Sequence, residues 1–130
     1  MSETQVANTV TKGAPAWVAE LYAPVDALSV DGFLEHLTED VSFRFGNAEP
    51  AVGHKAVGDG LTQFYGLIKG MSHTFLEVWE NGDDSVLVTD VDYTRPAGDV
   101  VRIPAVTLVH RRGELVDHMQ IFIDVAPLMP

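Results

Sequence analysis

The sequence predicts an α+β domain in which an antiparallel sheet wraps around three short helices and leaves a concave, apolar space. Three observations predict it. Apolar residues recur at three- and four-residue spacing as far as Lys69. From Ser72 onward they alternate with polar residues instead. Turn sequences then cut the alternating half into strands: Asn81-Gly82-Asp83-Asp84, Pro96-Ala97-Gly98-Asp99 and Arg112-Gly113-Glu114. A sheet of that kind must bury one face, and the helices are what can cover it.

Taken in order, residues 1–13 are polar and read as a flexible lead-in, with one domain over residues 14–130. Trp17, Val18, Leu21 and Tyr22 make the apolar stripe of a first helix, which Pro24 limits. Ser29 or Asp31 caps a second, whose stripe is Val30, Phe33, Leu34 and Leu37. Val41–Phe45 reads as a strand with Phe43 and Phe45 on one face and Ser42 and Arg44 on the other. A loop from Gly46 to Gly53 follows. The third helix is expected from about Lys55 to Lys69, with Val57, Leu61, Phe64, Leu67 and Ile68 buried and Gly70 as its stop. The strands are then Ser72–Glu80, Val86–Thr94, Val100–His110 and Leu115–Val125.

Composition narrows the function. The chain has 130 residues, 46% of them hydrophobic and none of them cysteine. One core of that size needs no covalent staple. Without cysteine there is no disulfide, thiolate nucleophile or cysteine-ligated metal, which fits a reducing compartment. Nothing approaches the ~20 apolar residues of a membrane span, and the first residues lack the pattern of a signal peptide, so the expected location is cytoplasmic. Nineteen acidic against eight basic residues give a net charge of −11, which disfavours nucleic acid and anionic membranes as partners. His36, His54, His73 and His110 are dispersed and form no HExxH-like pair, so no metal is expected. At the start of its strand, His73 reads as a structural group. No phosphate loop and no Gly-x-Ser-x-Gly elbow occur, and no cofactor is expected.

Several local runs fall in a telling order: Thr38-Glu39-Asp40-Val41-Ser42-Phe43 leading into the first strand, Gly53-His54-Lys55-Ala56-Val57 leading into the long helix, His73 through Trp79 followed by Asn81-Gly82-Asp83, and the ending Gln120-Ile121-Phe122-Ile123-Asp124-Val125-Ala126-Pro127-Leu128. With the order helix, helix, strand, helix, sheet, residues 14–128 resemble the SnoaL-like, or nuclear transport factor 2-like, superfamily. The resemblance implies a cone-shaped fold enclosing an apolar pocket. Isomerases, hydrolases, dehydratases, cyclases and proteins without catalysis share that fold, so it implies no one reaction.

The strand Val86–Thr94 carries Leu87, Thr89, Val91 and Tyr93 on one face and Val88, Asp90, Asp92 and Thr94 on the other. The two carboxylates either face water or face the apolar space. In the second case they repel, one stays protonated, and the pair can move a substrate proton. In the resemblance, Asp92 falls on the acidic position of limonene epoxide hydrolase-like members. Asp90 replaces their arginine, Gln120 their second aspartate, and Phe43 and Phe45 their water-holding residues, so that mechanism is not expected. Against ketosteroid isomerase-like members, Phe45 lies near the catalytic aspartate, Trp17 at the oxyanion-binding tyrosine and Thr107 near the protonated aspartate. His118, Gln120 and Phe122 share one face of the last strand, which the family turns into the cavity.

Two readings follow. In the first, Asp92 is acid or base, Asp90 tunes it, and His118 acts as a base or orients the substrate. The substrate is a small hydrophobic molecule, and the reaction is an isomerisation, cyclisation, dehydration or hydrolysis. Trp17, Phe43, Phe45, Phe64, Leu76, Val88, Ile103, Thr107, Gln120 and Phe122 would line the pocket. In the second, the chain is a non-catalytic module that binds a hydrophobic ligand or a protein. By analogy a homodimer is expected through an outer sheet face bearing Val91, Tyr93, Val106 and Leu108.

Overall fold

The computed structural model describes residues 8–129. Its elements are β1 (Asn8–Lys12), α1 (Ala16–Asp26), α2 (Val30–Leu34), β2 (Leu37–Phe45), β3 (Ala51–Val52), α3 (His54–Tyr65), β4 (Gly70–Asn81), β5 (Asp84–Thr94), β6 (Val100–Arg112) and β7 (Leu115–Ile123), closed by a 3-10 turn at Ala126–Leu128. All seven strands form one curved, unclosed sheet in the order β1-β4-β5-β6-β7-β2-β3, with the helices against its concave face. Neighbours are antiparallel except β2 and β7, which run parallel.

Several boundaries differ from the sequence expectation. Part of the lead-in is a strand: Asn8–Lys12 pairs with β4 through Asn81, and Lys12 forms an ion pair with Glu77. Residues 1–7 of that lead-in lie outside the described residues. Pro24 does not stop α1, which continues to Asp26. The chain then turns at Leu28, whose φ of +56° is the only positive φ of a non-glycine residue among those described. Packing of Leu28 against the core around Ile68, Tyr93 and Leu128 offsets the strain of that conformation. Ser29 caps α2 as expected, its hydroxyl accepting from the Gly32 N–H at 3.1 Å. Helix α3 ends at Tyr65, not Lys69, so Ile68 is buried from a loop and Leu67 is left exposed.

The faces of the strands matter most for function. On β5, Ser85, Leu87, Thr89, Val91 and Tyr93 point inward and are buried. Ile103, Ala105, Thr107 and Val109 do the same on β6. Val91 and Tyr93 are therefore core residues, not part of an outer surface, whereas Val106 and Leu108 do face outward. Two β-bulges then reverse the parity of neighbouring strands. In β4, Leu76 is the extra residue between Phe75, opposite Thr89, and Glu77, opposite Val88. In β7, Asp117 is the extra residue between Val116, opposite Arg111, and His118, opposite His110. One inserted residue moves everything beyond it to the other face. Alternation from buried Val116 would send His118, Gln120 and Phe122 inward, but past the bulge Met119, Ile121 and Ile123 take that face.

Candidate functional site

Between the helices and the concave face lies a cavity of about 270 Å³. Its walls are apolar and largely aromatic. Phe45 from β2 meets Phe64 from α3 with ring centroids 5.0 Å apart, and Phe64 meets Tyr93 edge-on at 5.8 Å. Phe33, Phe43, Val57 and Met119 supply other walls.

Glu49 and Gln63 also border the cavity, and His73 in its wall is held by a carboxylate behind it. Asp26, the last residue of α1, reaches His73 on β4: Nδ1 lies 2.6 Å from Oδ1, and the backbone N–H of His73 donates to Oδ2 at 3.2 Å. A carboxylate at a helix C-terminus sits at the wrong end of the helix dipole, so these two bonds must outweigh that cost. The imidazole is largely buried, stacks on Phe75 with centroids 6.0 Å apart, and meets Tyr22 edge-on at 4.7 Å. With Nδ1 committed to Asp26, Nε2 is the nitrogen left for a molecule in the cavity.

Three phenols line the cavity together with His73. Burial pushes Tyr22 well above the usual tyrosine range; the Thr107 hydroxyl beside it pulls the other way, and the Asp26 charge adds a further push upward. Burial, with Asp26 again contributing, takes Tyr65 up to about 12. Burial raises Tyr93 as well, helped by Tyr65. All three remain protonated, as hydrogen-bond donors, at neutral pH.

A family described as the SnoaL-like domain matches residues 18–119, most of the chain and of the cavity wall. The chain belongs to the SnoaL-like domain family. Solved structures agree on the fold. TerC, crystallised with polyporic acid, superposes with a TM-score of 0.75 at 19% identity over 86% of this chain and 92% of its own. A nuclear transport factor 2-like protein of unknown function from Burkholderia pseudomallei gives 0.77 at 18% over 87% and 92%. A Catenulispora acidiphila protein with a ketosteroid isomerase-like fold, in complex with trimethylamine, gives 0.76 at 15% over 86% of each chain. No curated protein matches by sequence.

Within this SnoaL-like domain the residues expected from sequence divide sharply. Phe43, Phe45, Phe64 and Thr107 line the cavity. Asp92 does not: it projects from the outer face, where Arg102 donates to both carboxylate oxygens at 2.8 and 2.9 Å and holds its pKa below the usual range. Asp90 and Val88 share that outer face. The bulges put His118, Gln120, Phe122 and Leu76 outside as well, with Phe122 51% and Leu76 45% exposed. Ile103 is buried but packs in the core behind the cavity wall. Trp17 lies away from the cavity, donating to Glu80 at 2.9 Å with the Arg111 guanidinium 3.8 Å above its ring.

Reading by residue missed Asp26, His73, Tyr22 and Tyr65. A signal for the first three was present. Tyr22 and Asp26 are four apart, hence neighbours on one helix face. Met71, His73 and Phe75 alternate, so the histidine shares its face with two apolar residues. Among the described residues, no three His, Asp or Glu side chains gather as metal ligands, and no helix is long and apolar enough to cross a membrane.

Proposed function

We propose that this SnoaL-like protein is an enzyme performing acid–base chemistry on a small, largely apolar molecule held in the cone cavity. His73 is the proton-transfer group and Asp26 its positioning residue. The observation that carries the reading is the carboxylate-held imidazole of His73 in the wall of a mostly apolar cavity. A carboxylate accepting from Nδ1–H fixes the tautomer and leaves Nε2 basic, so the imidazole can take a proton from one atom of the substrate and return it to another. Isomerisation, cyclisation, dehydration and hydrolysis all use such a group, and the cavity wall excludes the water that would compete with it.

The test is hydrogen–deuterium exchange at the α-carbon of 1-indanone in D2O, followed by NMR. The native protein should accelerate it, and His73→Gln should lower the accelerated rate by about 100-fold or more. Binding of 1-indanone without accelerated exchange would favour a non-catalytic ligand-binding module.

We also infer that two copies pair through the outer sheet face. Val106 (37% exposed), Leu108 (38%) and Phe122 stand on it, with Val88, Val106 and Phe122 in one cross-strand row. The ion pairs Lys12–Glu77 and Asp92–Arg102 neutralise two of its carboxylates in an otherwise acidic chain. Leu108→Lys should convert a dimer to a monomer in sedimentation. A native protein that sediments as a monomer at high concentration would remove this idea.

A further inference from the structure

Tyr65 closes α3 and forms part of the cavity wall. Its hydroxyl is buried and has no hydrogen-bond partner among the described residues. Such a phenol keeps the whole cost of stripping water from its O–H, which is why buried polar atoms in native proteins are nearly always paired. Four side-chain atoms among the described residues share this condition: Thr38 Oγ1, Tyr65 Oη, Ser85 Oγ and Arg111 Nε. Of these, only that of Tyr65 belongs to a residue lining the cavity around His73.

Two other hydroxyls of the cavity wall already have neighbours. Tyr22 has Thr107 beside it, and Thr89 donates to the Ala105 carbonyl at 3.1 Å. Around Tyr65 the packing is aromatic, with Phe64 at 6.4 Å between centroids. Asp26, which binds His73, also acts on the Tyr65 phenol through space, and both Tyr65 and His73 line the cavity. Because that phenol stays protonated, it can offer a proton in a hydrogen bond but cannot act as a base.

We propose that Tyr65 is a specificity-determining residue, donating a hydrogen bond to an oxygen atom of the ligand, so that the cavity selects apolar molecules carrying a carbonyl or similar acceptor over pure hydrocarbons. The inference rests on the cavity being the ligand site, and it adds that the ligand bears an acceptor and that Tyr65 meets it.

The experiment compares binding of 1-indanone with that of indane, the same bicyclic skeleton without the oxygen, by NMR titration of the native protein and of Tyr65→Phe. The native protein should bind the ketone about fivefold more tightly, the worth of one net hydrogen bond. Tyr65→Phe should bind indane as the native protein does and lose the preference for the ketone. A preference that is absent from the native protein, or that survives in Tyr65→Phe, overturns the proposal while leaving the cavity as the ligand site. If neither probe binds, the cavity reading fails and this inference falls with it. A ligand-free measurement stands beside this one. Since the hydroxyl does nothing for the fold, Tyr65→Phe should melt at the native temperature or above, and a marked fall would show a structural partner and refute the assignment.

Discussion

Replacing Asp26 with asparagine tests the site without any ligand. The carboxylate accepts two hydrogen bonds from His73, one at Nδ1 (2.6 Å) and one from the backbone N–H (3.2 Å). Bonds to an ionised acceptor in a part-buried site contribute about 1.5–3 kcal/mol, neutral ones about 1. Asparagine can keep the backbone bond in neutral form but cannot serve Nδ1 equally well. The expected loss is about 2.5 kcal/mol, reduced by about 0.5 kcal/mol because an anion leaves the C-terminus of α1. A net cost of about 2 kcal/mol lowers the melting temperature of a domain of this length by roughly 7 °C. Calorimetry reads that shift. Long-range proton–nitrogen NMR reads the tautomer: in the native protein, neutral His73 should carry its proton on Nδ1, and in Asp26→Asn that preference should weaken. An unchanged melting temperature, or a native His73 protonated on Nε2, would refute the orienting role of Asp26 and with it the assignment of His73 as base.

Two further outcomes are expected. Asp92→Asn should leave the affinity for 1-indanone within twofold of native, since Asp92 pairs with Arg102 on the outer face; a large loss in the same titration would return that residue to the site. His110→Gln should cost more melting temperature at pH 5.5 than at pH 8.5. Asp117, bonded to His110 at 2.6 Å, raises the histidine's pKa above its ordinary 6.5, with Asp84 and Asp83 adding to the effect. A raised pKa means stabilisation that is complete below the unfolded value and disappears as pH rises through the folded one. A melting-temperature difference that is equal at both pH values, or greater at pH 8.5, would contradict this sign.

The layers of the fold were legible because hydrophobic period is a local property. The helices around Trp17, Phe33 and Leu61, and the strands ended by Asn81-Gly82 and Arg112-Gly113, could be read from runs of a dozen residues. Phe43, Phe45, Phe64 and Thr107 reach the cavity wall in step with the period of their elements, the register irregularity of β2 lying before Ser42 and so ahead of both phenylalanines. What failed was the side of the sheet. On β5 both faces alternate without interruption and the more apolar one, with Leu87, Val91 and Tyr93, is buried, so the carboxylates drew attention to the wrong face. On β4 and β7 the bulges at Leu76 and Asp117 reverse a parity that the sequence pattern carries straight through. The Asp26–His73 pair was illegible for another reason: its members are remote in sequence and meet only because α1 lies across β4.

The parallel pairing of β2 with β7 has a consequence for the order in which the protein is made. Residue 37 lies in register with residue 116, so β2 waits for nearly the whole chain before its neighbour exists. The meander β4 to β7 can zip up hairpin by hairpin, but Phe43 and Phe45 reach their places only when the last strand has been delivered. On a ribosome the emerging chain would thus carry an unsatisfied strand and its aromatic face exposed until termination, the interval in which a chaperone would find it. The cavity is the last part of the molecule to come into being, and a chain cut short before residue 115 would have the materials for the cone without the means to complete it.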